Sequence, residues 1–418
     1  MLKNIYKSIF AGLISIFFVV GAFATSGLAL EGKAGEVIKT IEELKELERK
    51  GLLSNAQVLT YIELIRDFGL SISIVEKTNR GPSTVGSKSY WKATQMNRGK
   101  AKVGPEGDLI DYAGGLPFPD VTIDDPQVGI KCAWNFDYRH VGDDFFQPEW
   151  EMYLTDAKGN IRELAGNLQR LNWFPRTDMD PKPNLNPTKS EGIYFKELYG
   201  FIRPFASKGL AQLSVKYIDP RKDRDVWVYV PGLRRNVRIG GGNRCDSLGG
   251  LVCNMDEINM WSGNNVGFNW KLTGEKERLI DTIWPWEEKK TGKGIIRKAH
   301  HTLPMLELRK VWIIEQTPKD PSYCYSKRIF YLDPESWWYL WEEMYDRSGR
   351  LWKTQNLVFS VFPNPQDKGG GATIINASGD TLDLKIFEAG PYYQKETFIN
   401  TGLNQGIFTL DAMRKAGR

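Results

Sequence analysis

Histidine is nearly absent from this chain. His140, His300 and His301 are the 3 in 418 residues. So few imidazoles argue against a multi-histidine metal centre, and His300 and His301, as strand neighbours, would point to opposite faces rather than at one ion. Cysteine is also scarce, at 4, and the spacing of Cys132, Cys245, Cys253 and Cys324 fits no CxxC zinc or redox motif. The sequence contains no G-x-S-x-G nucleophile elbow, no S-x-x-K and no H-E-x-x-H, which leaves nucleophilic and zinc-protease chemistry without a carrier. His140, before Asp143-Asp144, reads as a hydrogen-bonded loop histidine, with a general base or a calcium-adjacent residue as the competing reading. Gly240-Gly241-Gly242 lacks the lysine and the strand-to-helix setting of a phosphate loop, and reads as a turn. Asp124-Asp125 and Asp143-Asp144 offer oxygen ligands without the regular spacing of a calcium loop, so they read as solvated turns. The net charge of +5 is small for this length and does not suggest a nucleic-acid binder.

What the chain does have begins at its start. Lys3 and Lys7 precede an apolar run from Ile9 to about Phe23. Small residues then offer two cleavage sites, Ala22-Phe23-Ala24 and Gly27-Leu28-Ala29. That is the layout of a secretory signal peptide spanning 1–29. The run is short of the about 20 residues that a membrane span requires; an uncleaved anchor is the competing reading. No cysteine follows it to take a lipid. The expected location is outside the cytoplasm, in the periplasm, with a further association with the outer membrane open. There ATP and NAD are not at hand, and no cofactor is expected. Four cysteines in an exported chain point to disulfides. The expectation is a local Cys245–Cys253 bridge stapling the turn-rich loop between them, with Cys132–Cys324 then closing a long loop; free thiols are the alternative.

Two regions follow. Residues 30–88 read as a helical segment: Val37, Ile41, Leu44 and Leu47 recur at helical spacing, Gly51 ends the stretch, and Ser54 with Gln57 forms a capping box before Val58, Leu59, Ile62 and Ile65. Packing on the main domain is the plain reading; a partner-binding hairpin is the sharper one. Residues 89–418 are of β type with a C-terminal extension. Cys132 to Arg139 is either a strand or the start of a helix, 172–190 is a loop, and short strands separated by turns run from about Leu213 to Phe362. Strands joined by short turns are antiparallel. The aromatic content is high, 14 Trp, 17 Tyr and 20 Phe, which suits sheets and apolar pockets. A sheet with aromatics on both faces must be covered on both or must hold something apolar. The tail beyond Pro391 reads as a helix or an irregular cap.

The densest constellation is Asp219 to Arg238, an aromatic strand (Val226-Trp227-Val228-Tyr229-Val230) followed by Pro231-Gly232 and the cluster Arg234, Arg235 and Arg238. These arginines either greet an anionic head group or partner surface, or pair with local carboxylates such as Asp219, Asp223, Asp225 and Asp256. With this stretch, several segments occur in the order seen in one exported family of unknown function, the outer-membrane lipoprotein-sorting-protein-like family of the LolA-like superfamily. They are Gly114 to Pro119, Trp227 to Arg238, Asp256 to Gly263, Asn269-Trp270-Lys271-Leu272, Val311 to Glu315, Lys327 to Asp333 and Tyr345 to Trp352. The chain resembles that family from about Ser89 to Phe362. It departs in a longer helical segment at 34–69 and in the Cys245–Cys253 loop, which leaves open whether partners are shared.

The resemblance implies an α+β fold: a strongly curved antiparallel sheet, an incomplete barrel, with helices packed in or against its concave face. It implies a carrier or chaperone that shields lipid, lipoprotein acyl chains or another apolar ligand, working beside an inner-membrane efflux-type transporter or an outer-membrane protein. It carries no catalytic residue, and the chain is expected not to be an enzyme. The physics agrees, since an exposed acyl chain costs about 0.8 kcal/mol per methylene. The expected lining is Trp227, Tyr229, Trp270, Trp312, Ile314, Phe330, Trp338, Leu340 and Trp352, of which only a subset can face inward because strand neighbours alternate. Two other readings stand beside it: a non-catalytic assembly factor that binds a protein through the 34–69 helices and the arginines, and a secreted hydrolase.

Overall fold

The computed structural model describes residues 30–66, 69–82, 84–158, 160–186, 192–240, 244–247, 250–281, 283–284, 305–366, 372–394 and 396–416. The expected signal peptide, His300 and His301, and Gly369-Gly370-Gly371 lie outside them.

The first elements are β1 (Val37–Ile38), α1 (Ile41–Arg49), α2 (Asn55–Arg66), β2 (Ile72–Val75), α3 (Lys88–Asn97), the small hairpin β3 (Lys102–Val103) and β4 (Leu109–Ile110), and α4 (Val128–Asp137). Helix α1 starts at a capping box made by Thr40 and Glu43 and ends where Gly51 takes a φ of +74°, a conformation glycine adopts without the Cβ penalty. Helix α2 starts on the Ser54–Gln57 box: the Ser54 N–H donates to Gln57 Oε1 at 2.9 Å and the Gln57 N–H to Ser54 Oγ at 3.2 Å. The ambiguous stretch from Cys132 belongs to helix α4. It packs on the sheet where Gly129 leaves room for the Trp270 carbonyl, which a Cβ would meet at 2.4 Å.

Antiparallel neighbours β5 (Asp144–Thr155), β6 (Ile161–Asn172), β7 (Ile193–Arg203), β8 (Ala211–Tyr217), β9 (Asp225–Val230) and β10 (Arg235–Ile239) make one half of the large sheet. The other half holds β11 (Phe268–Asp281), β12 (Ile283–Trp284), β13 (Met305–Pro318), β14 (Tyr325–Leu332), β15 (Tyr339–Asp346), β16 (Leu351–Pro363) and β17 (Ala372–Asp383). The tail joins the halves. Strands β18 (Glu388–Ala389) and β19 (Tyr392–Gln394) pair with β17 on one side and with β5 on the other, and β20 (Phe398–Ile399) pairs with the start of β5. The sequence pattern placed a helix or an irregular cap beyond Pro391; the structure makes this stretch the seam of the sheet and ends it in a short helix at Leu410–Ala416.

Two parallel pairings, β2 with β13 and β12 with β16, make the sheet mixed. The second also shows its curvature. Strand β11 lies beside β13, yet its continuation β12 lies beside β16; a ribbon can neighbour both only if the sheet curls. Helix α2 bridges the curl: the Gln57 amide donates to the Leu279 carbonyl at 2.8 Å, the Thr60 and Thr354 hydroxyls meet at 2.9 Å, and the Tyr61 ring sits 6.0 Å from that of Trp341. Leu44, Leu47, Val58, Tyr61 and Leu64 are buried in the main core with Phe330, Tyr339 and Trp341, each such burial stabilising by roughly 1.5–3 kcal/mol. A second cluster, under β7–β9, is closed by Phe408 and Met413, the latter on α5 (Leu410–Ala416).

The cysteine pairing differs from the expectation. Cys245 is bonded to Cys324, while Cys132 and Cys253 are free and buried. The loop between Cys245 and Cys253 folds back on itself through a Ser247–Asn254 bridge. That turns Cys253 inward among Trp150, Leu168 and Leu251 and leaves Cys245 beside the strand that begins at Tyr325. Cys132 sits in the core on α4, so it cannot reach Cys324.

Candidate functional site

The two halves of the sheet face each other across a cavity of about 130 Å³. One wall comes from β5–β8 (Phe145, Trp150, Met152, Leu168, Phe201), the other from β16–β19 (Gln355, Leu357, Asn376, Thr381, Tyr392), and Leu251 to Asn259 cover it. For scale, an engineered apolar cavity of roughly 150 Å³ holds a benzene ring.

The cover is fixed at several points. The disulfide ties its start to the head of β14. Asn254 and Glu257 form a capping box. Lys353 Nζ donates to the Val252 carbonyl at 2.6 Å and lies 3.4 Å from Glu257. Tyr323 donates to Asp256 at 2.9 Å, Arg162 to the Gly250 carbonyl at 2.7 Å and Arg328 to the Met260 carbonyl at 2.9 Å. Burial first, then the nearby Glu257 carboxylate, pushes the Cys253 thiol up to about 12, so it is no nucleophile at neutral pH.

Under the cover, Trp150 stands edge-on to Phe201, ring centres 5.5 Å apart. Its indole has room because the facing residue is Gly166; a Cβ there would meet the Gly200 carbonyl at 2.1 Å and Trp150 Cζ2 at 2.5 Å. Gly379, Thr381 and Gly390 line the opposite side, too small to fill the space between the halves. Among the described residues the wall contains no lysine, arginine or histidine, and it includes the carboxylates of Glu257 and Asp380. Gln147 Oε1, Trp150 Nε1 and Gln355 Oε1, all on wall residues, are buried without a hydrogen-bond partner among the described residues.

None of the nine aromatic and aliphatic residues expected from the sequence lines this cavity. Trp270, Trp312, Ile314, Phe330, Trp338 and Leu340 pack in the main core with α2 and α4. Trp270 and Phe330 are stacked, as are Phe330 and Tyr339, and the Arg139 guanidinium lies 3.5 Å from the Trp338 ring centre. Tyr229 and the half-buried Trp227 belong to the cluster capped by α5. Trp352 is half-buried and donates to Asp383 at 2.8 Å. The physical reason is volume: the rings of the main core interlock with α2 and α4, whereas between the two halves Phe145, Trp150, Phe201 and Tyr392 face Gly379, Thr381, Gly390 and Asn376, which are too small to close the gap. The strands that supply much of that wall, β5, β6 and β17, read weakly in sequence because a bulge at Gln147/Trp150 breaks the alternation of β5 and β17 is built largely of small and polar residues.

The arginine cluster divides. Arg238 pairs with Asp225 and sits over Trp227, whereas Arg234 and Arg235 are exposed at the β9–β10 turn. His140 is buried, with Nε2 3.0 Å from Asp178 and Nδ1 3.3 Å from the Thr373 hydroxyl. Ser87 and Ser89 bond to the same Asp178 rather than to the imidazole, so no serine–histidine pair is formed. Among the described residues no group of three or more His, Cys, Asp or Glu could hold a metal, and no helix is long and apolar enough to cross a membrane.

A curved mixed sheet with helices packed against it is also the fold of a domain from Vibrio parahaemolyticus that carries an outer-membrane lipoprotein-sorting name. The two align at 18% identity and a TM-score of 0.50, over 68% of this chain and 98% of that one. The chain belongs to the protein family of unknown function DUF1329, whose model matches residues 60–405. A structure of a DUF1329 family protein from Desulfovibrio piger aligns at 16% identity and a TM-score of 0.49, over 68% of this chain and 96% of that one. An uncharacterized protein of Pseudomonas aeruginosa is 27% identical over 293 residues; the match spans 67% of this chain and 60% of that protein's length.

Proposed function

We propose that this protein is a non-enzymatic periplasmic carrier or chaperone that shields an acyl chain or another apolar group in the cavity between the two sheet halves, handing it between an envelope transporter and the outer membrane. The observation that carries the reading is the covered cavity itself, walled by Phe145, Trp150, Met152, Leu168, Phe201 and Leu251. Each methylene moved there from water gains about 0.8 kcal/mol, so a few suffice for useful affinity. Its size admits the end of a chain at rest; a longer cargo requires the segment from Leu251 to Asn259 to lift. The carboxylates of Glu257 and Asp380 in the wall disfavour an anionic group inside it and so favour acyl chains linked through neutral ester or amide groups.

The test is native mass spectrometry of protein purified from membranes, with titration of a fluorescent acylglycerol. A co-purified lipid and saturable uptake are expected, and a Leu168→Trp substitution, which fills the cavity, abolishes uptake while the protein stays folded. No lipid in repeated preparations together with no uptake overturns the reading. Helices α1 and α2 spend their apolar faces on the core, so they do not favour the alternative of a partner-binding hairpin.

A further inference from the structure

The strand registers bring a set of hairpin turns to one rim of the sheet. Thr155 faces Ile161 across the β5–β6 turn, Ala165 faces Arg203 at the end of β7, Ala211 faces Tyr229 near the end of β9, and Thr155 faces Ala389 beside the β17–β18 turn. The turns after β5, β7, β9 and β17 therefore lie side by side. Each presents a large apolar side chain to solvent: Ile161 at 44% exposure, Phe205 at 90%, Leu233 at 57%, and Ile386 with Phe387 at 55% each. Single exposed apolar residues are ordinary, but a row of them along one edge marks an interaction surface. Phe387 also holds a φ of +54°, a region that side chains with a Cβ rarely occupy, and it gains no core packing in return.

Charge accompanies the apolar tips. Lys158, Lys208, Arg234 and Arg235 are exposed on these turns, and Lys208, Arg234 and Arg235 form no ion pair among the described residues. Two of the carboxylates nearby are engaged: Glu163 holds Arg203 at 2.9 Å, and Asp156 accepts from the Lys158 and Asn160 backbone, each at 2.9 Å; Glu388 beside Phe387 is one acidic group against four exposed cations. Apolar side chains that reach past a ring of unpaired cations match an anionic lipid surface, where the tips enter the headgroup boundary and the cations meet phosphates. The rim is also continuous with the cavity, since Met152, Phe201, Thr381 and Gly390 of its wall lie within a few residues of these turns.

We propose that this rim docks the protein on an anionic phospholipid bilayer, with Phe205, Leu233, Ile386 and Phe387 inserted and Lys208, Arg234 and Arg235 at the headgroups. The proposal stands on the rim alone and does not require the cavity to be filled. Its test is co-sedimentation of the full chain with vesicles of phosphatidylcholine containing 0 to about 50% phosphatidylglycerol, an anionic fraction large enough to reveal the surface-charge effect. Partition rises with phosphatidylglycerol and falls with salt. Phe205→Ser and Phe387→Ser each lower it about tenfold, the equivalent of burying one such side chain; Arg234→Gln with Arg235→Gln flattens its dependence on anionic lipid. Met96→Ser, 67% exposed elsewhere on the surface, leaves it unchanged and serves as the control. Absence of vesicle binding, binding insensitive to the tip variants, or a stoichiometric protein cross-linked at Phe205 in envelopes while vesicles are ignored overturns the proposal. Tip variants that still take up the fluorescent acylglycerol but miss vesicles separate this surface from the cavity.

Discussion

Cys245 and Cys324 are cross-linked across 79 residues of sequence, with Cα atoms 5.8 Å apart. The bond joins the segment that covers the cavity to the first residue before β14, and so fixes one end of the cover on the sheet. Closing a loop of that length restricts the unfolded chain, an effect of roughly 2–5 kcal/mol on removal.

Cys324→Ser is therefore expected to lower the unfolding free energy by roughly 2–5 kcal/mol and to loosen the cover, which thermal melts and the release rate of a bound acyl probe report. The free thiols supply the cross-check. Burial holds both well above the usual thiol range, so the native protein resists alkylation at pH 8 and two thiols per chain react once it is unfolded without reductant. A peptide map linking Cys245 to Cys253, or rapid labelling of the native chain, contradicts this arrangement.

Gly166 and Trp150 make a second linked pair. Any side chain at 166 drives the indole toward the cavity, because the Gly200 carbonyl blocks the other direction. Gly166→Val is expected to destabilise the fold by about 1–3 kcal/mol as an overpacked site and to weaken acyl-probe binding. Gly232→Ala, where a Cβ meets nothing within 4 Å, leaves both unchanged. Isothermal titration alongside chemical denaturation checks the pair; full-strength binding by Gly166→Val removes Trp150 from the cavity wall.

Strands β8, β9 and β13–β16 were plain in the sequence, while β5–β7 and the tail were obscure, for physical reasons. Strands β8, β9 and β13–β16 carry β-branched and aromatic residues between unmistakable turns such as Asp333-Pro334-Glu335 and Asp346-Arg347-Ser348-Gly349. Strands β5, β6 and β7 carry bulges at Gln147/Trp150, Ala165/Gly166 and Ile193/Phe195, and each bulge shifts which face the next residue takes; β14–β16 are bulged too, but their dense β-branched and aromatic runs between strong turns mark them regardless. The short strands of the tail have no periodicity of their own, since they exist by pairing with β5 and β17. The cavity was hidden for a different reason: its wall mixes large apolar residues of β5–β7 with small and polar residues of β17–β19, and only the meeting of two distant halves turns them into a site. Arg234 and Arg235 were legible as a candidate head-group contact, but the rim they share with Phe205 and Phe387 depends on strand register.

Asp178 gathers distant parts of the chain. Its carboxylate accepts from Ser87 and Ser89 at the start of α3, from His140 at 3.0 Å, from Asn364 after β16 at 3.0 Å and from Asn400 after β20 at 2.7 Å. Burial opposes its ionisation, but His140 and the two serine hydroxyls outweigh that and hold it well below the usual carboxylate range. The sign follows. In the unfolded chain an aspartate takes up its proton near pH 4, at about 3.9, while the folded chain still does not. The stability Asp178 contributes is thus complete above about pH 4 and is lost as pH falls through the lower folded value. Asp178→Asn leaves the imidazole facing an amide and is expected to cost roughly 3–5 kcal/mol at neutral pH, the usual penalty for breaking a buried pair. Urea unfolding of both forms from pH 7 down to about 3, spanning the aspartate range, measures the difference, which should shrink below about pH 4. A gap that stays constant to pH 3 would assign the effect of the substitution to packing rather than to the charge of Asp178.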